Sequence, residues 1–333
     1  MRLISTLTIL FSITMLNSCG KSADEEISGA ILSANISLSK GDCQSAIDTL
    51  TAISYQSRNA SFLKTLSAAY ACRSGFSVVH FFASDIAVSA SKTGLGGLTL
   101  YSTSLSTVTG VLENDSSFSD LQRAIDILLY AGGLSSNTEP TVSERAKYFG
   151  SKDASEINSQ LAFMLLAQIG KYMHFYGNTG TGGEKNHITA TGTNKCFSSY
   201  SQASLTVKGL MNTAVISNAS NNCKDLTTQS HPQLDIATVS QALRTARMCR
   251  GVVLLNNLLE VLPTVIASAS GGDLSSVSGL TDPVKLIITA AGASLPNVAT
   301  VMSQTNCVAN AVVTPGSDEL EAYLGLTYES LML

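Results

Sequence analysis

Charge is scarce in this sequence. It has 20 Lys+Arg and 24 Asp+Glu among 333 residues, 13% charged, about half the ~25% of an average soluble domain. Ser, Thr, Asn and Ala largely take the place of the missing charges. Low charge combined with 44% hydrophobic residues excludes an intrinsically disordered chain. A net charge of −4 with scattered Lys and Arg excludes a nucleic-acid binder, which needs a basic face. Long apolar runs are missing too: after the first 20 residues no stretch approaches the ~18 uninterrupted apolar residues of a membrane span. Alternating Val/Ile patterns are nearly absent, which argues against sheets.

Catalytic and metal-binding spacings are likewise missing. There is no Cys-x-x-Cys, so neither a thioredoxin-like redox site nor a zinc ribbon has its ligands. None of the four His pairs with a second His at metal spacing. No G-x-S-x-G elbow anchors a serine hydrolase. The glycine run 179–183 lacks the order of a phosphate-binding loop. These absences lead us to expect no enzyme activity, no metal and no cofactor.

What is present begins with an export signal. Arg2 precedes an apolar stretch, Leu3 to Leu16, then small or polar residues and a Cys, the layout of a secretory leader. Leu16-Asn17-Ser18-Cys19 resembles a bacterial lipobox, with Asn17 bulkier than the usual residue. The resemblance implies that residues 1–18 are a lipoprotein signal peptide. It also implies that Cys19 becomes fatty-acylated (palmitate among the chains) and N-terminal. Several acyl chains anchor firmly, at about 0.8 kcal/mol per buried methylene. Gly20 rather than Asp follows the Cys; in similar lipoproteins this implies the outer membrane, facing the periplasm. Residues 19–27 then read as a polar, lipidated tether. The membrane, through this lipid, is the first expected partner.

Setting Cys19 aside leaves six cysteines: Cys43, Cys72, Cys196, Cys223, Cys249 and Cys307. An even number in an exported chain points to disulfides. Nearest-neighbour pairing gives Cys43–Cys72, Cys196–Cys223 and Cys249–Cys307.

The apolar spacing predicts an all-α fold of antiparallel helical hairpins. Helices are expected over 28–40, 43–55, 60–74, 77–91, 120–131, 141–149, 153–176, 197–217, 234–262, 296–310 and 317–327, with another starting at Asp282-Pro283. Ser119 with Gln122 reads as the cap of the helix 120–131. Polar loops fall at 177–195 and 218–233. Gly41 and Gly75 lie 34 residues apart, and Leu32-Ser33-Ala34 recurs at the same lag as Leu66-Ser67-Ala68. That period, with the segment 40–53, resembles the tetratricopeptide repeat. The resemblance covers residues 28–91, with residues 92–333 a helical region continuous with it. It implies close packing at Ala34, Gly41, Ala46, Ala68 and Gly75, where paired helices need small residues. In this geometry Cys43 starts one helix and Cys72 ends its antiparallel neighbour, so a bridge between them is sterically reasonable provided their Cα atoms come within ~7 Å.

For the histidines the expectation is packing and surface roles: His80 in the core, His174 near a helix C-terminus, His187 and His231 in surface loops. Glu25, Glu26, Glu319 and Glu321 read as solvated charges beside helix starts. Arg244, Arg247 and Arg250 follow one helix edge. With His174 and Tyr176, Arg244 and Arg247 are the candidate partner contacts. The expected function is that of a protein-binding scaffold of the cell envelope using an open concave face. The alternative is a small-molecule binding or transport-accessory lipoprotein. In size, lipobox and helical content the chain is similar to the T component of tripartite TRAP transporters. That similarity implies an apolar channel for a small hydrophobic ligand.

Overall fold

The computed structural model describes residues 22–85, 110–177, 196–201, 230–268, 288–289, 292 and 295–331. Cys19, Cys223, His187, the leader and most of both polar loops lie outside them. Among the described residues the fold is all-α, with no strand and one isolated bridge, Cys196 to Ser230.

The first helix, α1 (Ala23–Ser39), begins inside the expected tether. Ser22 and Glu25 form a capping box, each side chain bonding the other's backbone N–H at 3.2 and 2.9 Å. Asp24, Glu25 and Glu26 occupy the first turn, where carboxylates favour the helix dipole. The polar run 23–27 is therefore helical, because its charges suit a helix start.

Helices α2 (Cys43–Thr51) and α3 (Ala60–Arg73) follow. Gly41 (φ 74°) closes α1 and Gly75 (φ 86°) closes α3. Both turns carry the same paired bonds. Gly41 N donates to Leu38 O and Asp42 N to Ser37 O; Gly75 N donates to Cys72 O and Phe76 N to Ala71 O, all at 2.9–3.0 Å. This is the Schellman arrangement, which needs a left-handed residue and so selects glycine. Ala34 and Ala46 are fully buried where α1, α2 and α3 meet. Ala68 is only half-buried, and its neighbour Ala69 takes the enclosed position. Cys43 and Cys72 are disulfide-bonded, with Cα atoms 5.6 Å apart.

Beyond Gly75 the helix shortens. Val78–His80 forms one turn, α4, and continues as a π turn over Phe81–Asp85. His80 is exposed, its Nε2 3.4 Å from Asp85 Oδ1, rather than packed in the core. Phe81 takes the buried place instead.

A short 3-10 turn, Leu112–Asn114, leads into α5 (Ser116–Leu129). Its cap is Asp115, whose carboxylate accepts from Ser117 N at 2.8 Å, not the expected Ser119. Asp115 wins because it sits one turn earlier, where the amide groups are still unbonded. Gly132 and Gly133, both at positive φ, follow the end of α5.

Two long helices form the centre: α7 (Ser151–Gly177), after the short α6 (Val142–Ala146), and α8 (Gln241–Ser268). They pack on each other more extensively than any other pair. The start of α8 is later than the expected residue 234, because 232–234 form a separate 3-10 turn. Pro263 lies inside α8 rather than after it. Proline removes one donor and crowds the preceding turn, yet burial of Val261, Leu262 and Val265 on either side holds the helix. By length and hydropathy the segment Gln241–Val265 would pass as a membrane span, but it is mostly buried inside the protein. It is enclosed by α7, α9 (Gln304–Asn310) and α10 (Glu319–Leu326), and a last turn, α11 (Tyr328–Leu331), ends the described chain. Cys249 of α8 is bonded to Cys307 of α9, with Cα atoms 5.7 Å apart. Cys196 is also in a disulfide.

Candidate functional site

A pocket of about 360 Å³ opens between α5, α7, α8 and α9. This volume is at the small end of the ~300–1,000 Å³ typical of small-molecule sites. Helical spacing builds its walls. From α5, Phe118, Gln122 and Asp126 stand one turn apart, with Ser119 and Arg123 beside them. From α7 come Tyr172 and Tyr176, again four residues apart. From α8 come Leu243, Ala246, Arg247 and Arg250. Gln304 of α9, Leu112 and Glu113 are the other described residues of the lining.

The aromatic wall is held from behind. Tyr172 donates its hydroxyl hydrogen to Arg247 O at 3.2 Å. Its ring lies 4.7 Å from that of Tyr176, 5.4 Å from Tyr328 and 6.3 Å from Phe197. Gly251 faces it from α8, where any Cβ would lie 2.7 Å from the Tyr172 ring and hydroxyl. Burial pushes both pocket tyrosines well above the usual phenol range, so they remain neutral donors. Behind Tyr176 sits His231, with ring centroids 5.1 Å apart. His231 is buried, against the expectation of a surface loop. Its Nδ1 accepts from Gln233 N at 3.2 Å. Burial, and then the nearby Arg247, lower its pKa to about 4. His174 is buried too, one turn from the end of α7, and offers no surface for a partner.

The three arginines of the helix edge divide sharply. Arg244 is fully buried and contacts no exterior partner. Its Nη1 and Nη2 each lie 2.7 Å from a carboxylate, Asp318 and Glu321. Its Nε donates to Leu234 O at 3.1 Å. Glu321 is therefore the anion of an internal cluster, not a solvated charge. Glu319 is buried as well, accepting from Asn297 Nδ2 at 3.1 Å and from Val312 N at 3.3 Å. The physical reason is economy of charge. In a chain this poor in ions, a helix packed on both sides buries its arginines against the few acids within reach.

Arg247 stands at the pocket. Its Nε lies 2.9 Å from Glu113 Oε1, and Nη1 donates to Gln233 O at 3.1 Å. Arg250 is half-buried and Arg123 exposed. Neither has a hydrogen-bond or ion-pair partner among the described residues. Between their fields lies Asp126, half-buried and accepting from Gln122 Nε2 at 2.8 Å. Burial raises its pKa against the opposing pull of Arg250, Gln122 and Arg123.

The lining therefore offers cationic donors, neutral hydroxyls and aromatic faces. Among the described residues it contains Ser119 and Asp126 but no histidine to activate a nucleophile. Lys171 of α7, buried and bonded to Ser117 Oγ at 3.0 Å, has its pKa lowered by burial to about 8. It is not part of the lining. Among the described residues no three His, Cys, Asp or Glu side chains gather as a metal site.

Of the sequence candidates, the structure brings Tyr176 and Arg247 into the pocket and withdraws His174 and Arg244 from it. The α5 face was missed. Its signal was Gln122 and Asp126 at i and i+4 on an otherwise apolar stripe, polar residues where a plain core helix has none. No family model, no curated protein and no solved structure matches this chain.

Proposed function

We propose that this chain is a lipid-anchored, non-enzymatic binding protein of the bacterial cell envelope, and that the pocket between α5, α7 and α8 receives a small molecule. The observation that carries this reading is the pocket itself. Its aromatic floor is rigidly backed, and among the described residues Arg123 and Arg250 at its mouth make no hydrogen bond or ion pair, with Asp126 as the one carboxylate whose charge they feel. A folded protein seldom leaves a half-buried guanidinium unmatched unless something else supplies the match.

The cellular setting rests on the lipobox-like Leu16–Cys19 segment. It is supported by the Cys43–Cys72 and Cys249–Cys307 disulfides, which persist in oxidising compartments. Cys19 carries the lipid, and the outer membrane is the proposed site. The paired glycine turns after α1 and α3 support a tetratricopeptide-like N-terminal hairpin array. This array is a support for the pocket domain rather than the recognition surface.

A second reading, a scaffold that binds an envelope protein, has one observation in its favour. Leu32 and Ile36, one turn apart on α1, are 63% and 48% exposed, an apolar pair of the kind helix partners cover.

Native mass spectrometry of the protein captured from its own envelope tests the choice. The pocket reading expects a bound small molecule on the native chain that is lost from the pocket-filling variant Ala246→Phe. Capture of the same proteins by both chains, with no small molecule on either, supports the scaffold instead. Labelling with palmitate, present in the native chain and absent from Cys19→Ser, tests the anchor.

A further inference from the structure

Among the described residues the charges around the pocket do not balance, and the imbalance points to a class of ligand. Arg247 is matched by Glu113 and by the Gln233 carbonyl. That leaves Arg123, Arg250 and Asp126. Two guanidinium groups stand against one carboxylate, and the carboxylate is already held by Gln122.

Position adds direction. Arg123 is exposed and Arg250 half-buried, while Tyr172 and Phe118 are buried. The cationic groups thus sit at the rim and the aromatic faces inside. A guanidinium presents a planar fork of donors that fits carboxylate, sulfonate or phosphate oxygens two at a time. An aromatic floor prefers an apolar or ring-shaped body, which it meets edge-to-face or offset.

Resting on the pocket reading above, we infer that the ligand is a small monoanion. Its acidic group sits between Arg123 and Arg250, and its compact apolar or aromatic body lies against Tyr172 and Phe118. One negative charge neutralises the single unbalanced positive charge. A dianion would overcompensate it beside Asp126, and a cation would meet two arginines. The apolar body excludes a bare inorganic anion as the preferred occupant.

Calorimetric titration of the full-length protein with naphthalene-2-sulfonate and with its neutral analogue naphthalene-2-sulfonamide tests the inference. Inorganic phosphate serves as competitor. The sulfonate is expected to bind at least ten-fold tighter than the sulfonamide. Arg123→Gln and Arg250→Gln are each expected to lower sulfonate affinity about five-fold or more. The double variant is expected to bind both compounds alike. Melting curves of the variants should match the native curve, since neither arginine bonds to the fold; Arg123, being exposed, provides the variant least able to disturb folding. Phosphate at equal concentration should not displace the sulfonate.

Equal affinity for sulfonate and sulfonamide, with both lost in Ala246→Phe, would overturn the anionic class while leaving the pocket reading intact. Displacement by phosphate alone would overturn the apolar body. No binding of either naphthalene compound to the native chain would overturn this inference, and the pocket reading would then rest on the small molecule captured with the native chain and lost from Ala246→Phe.

Discussion

Gly251 and Tyr172 are in direct opposition: the α8 backbone approaches the tyrosine so closely that a methyl group on residue 251 would lie 2.7 Å from its ring and hydroxyl. Tyr172 cannot give way, being bonded to Arg247 O and enclosed by Tyr176, Tyr328 and Phe197. Two effects compete in Gly251→Ala. Helix propensity favours alanine by about 1 kcal/mol. Overpacking a rigid core costs about 1–3 kcal/mol. The steric term is the larger over most of that range, so chemical denaturation should show a net loss of up to about 2 kcal/mol. The same variant tilts the pocket's floor and should weaken ligand binding.

The buried cluster of Arg244 with Asp318 and Glu321 makes a larger prediction. All three side chains are almost wholly excluded from water. Arg244→Met leaves two carboxylates without their cation and should cost about 3–5 kcal/mol. Urea unfolding measures this directly. A near-neutral result would return Arg244 to the surface role that the spacing of the helix edge implied.

Acid sensitivity follows from His231. Its folded pKa of about 4 lies below its unfolded value of 6.5. Between these two values the unfolded chain takes up a proton that the folded chain refuses. Stability therefore falls as pH drops from 6.5 towards 4, by at most about 3 kcal/mol. Asp126 acts in the opposite sense, because its raised pKa lets the folded state bind the proton first. The comparison of native chain with His231→Asn isolates the histidine. Asparagine keeps an acceptor for Gln233 N, and its melting temperature should depend less on pH across that window.

The two described disulfides should differ in worth. Cys43–Cys72 closes 29 residues and Cys249–Cys307 closes 58. Chain-entropy arguments give about 3–4 kcal/mol for each, with ~0.6 kcal/mol more for the longer loop. Paired serine substitutions, followed by urea unfolding, should show the larger loss at 249 and 307. Both of those cysteines are fully buried, which adds a packing loss in the same direction.

Asp126 supplies the ligand-side prediction. Replacing it with asparagine removes the carboxylate whose charge meets those of Arg123 and Arg250 and so opposes an anion between them. Asp126→Asn should strengthen naphthalene-2-sulfonate binding about three- to ten-fold by calorimetry, with little change for the sulfonamide.

The helical plan was legible because it rests on local signals. The apolar stripe of residues 153–176, the glycines at 41 and 75 and the short-range cysteine pairs each depend on residues close in sequence. Boundaries were less legible where several groups compete for one role. Asp115 and Ser119 both suit a helix cap, and only the position of the free amides decides between them. The acidic run 23–27 reads equally as a tether or as a favourable first turn until Ser22 and Glu25 are seen bonded.

The site was mostly illegible for a different reason. Its walls come from α5, α7, α8 and α9, up to 192 positions apart between Leu112 and Gln304. Arg244, Arg247 and Arg250 look alike along the chain. Their fates are set by whether Asp318, Glu113 or nothing stands opposite, and that is a property of packing between distant helices. His231 shows the same limit: a histidine in a polar run is buried because Phe175 and Tyr176 cover it.

The most direct measurement is a crystal structure of the native protein soaked with naphthalene-2-sulfonate. Electron density for the ring is expected against Tyr172 and Phe118, with sulfonate oxygens within hydrogen-bond distance of Arg123 and Arg250. Density only elsewhere, such as the smaller cavity beside Asn256 and Glu260, or an unaltered pocket at saturating ligand, would contradict it.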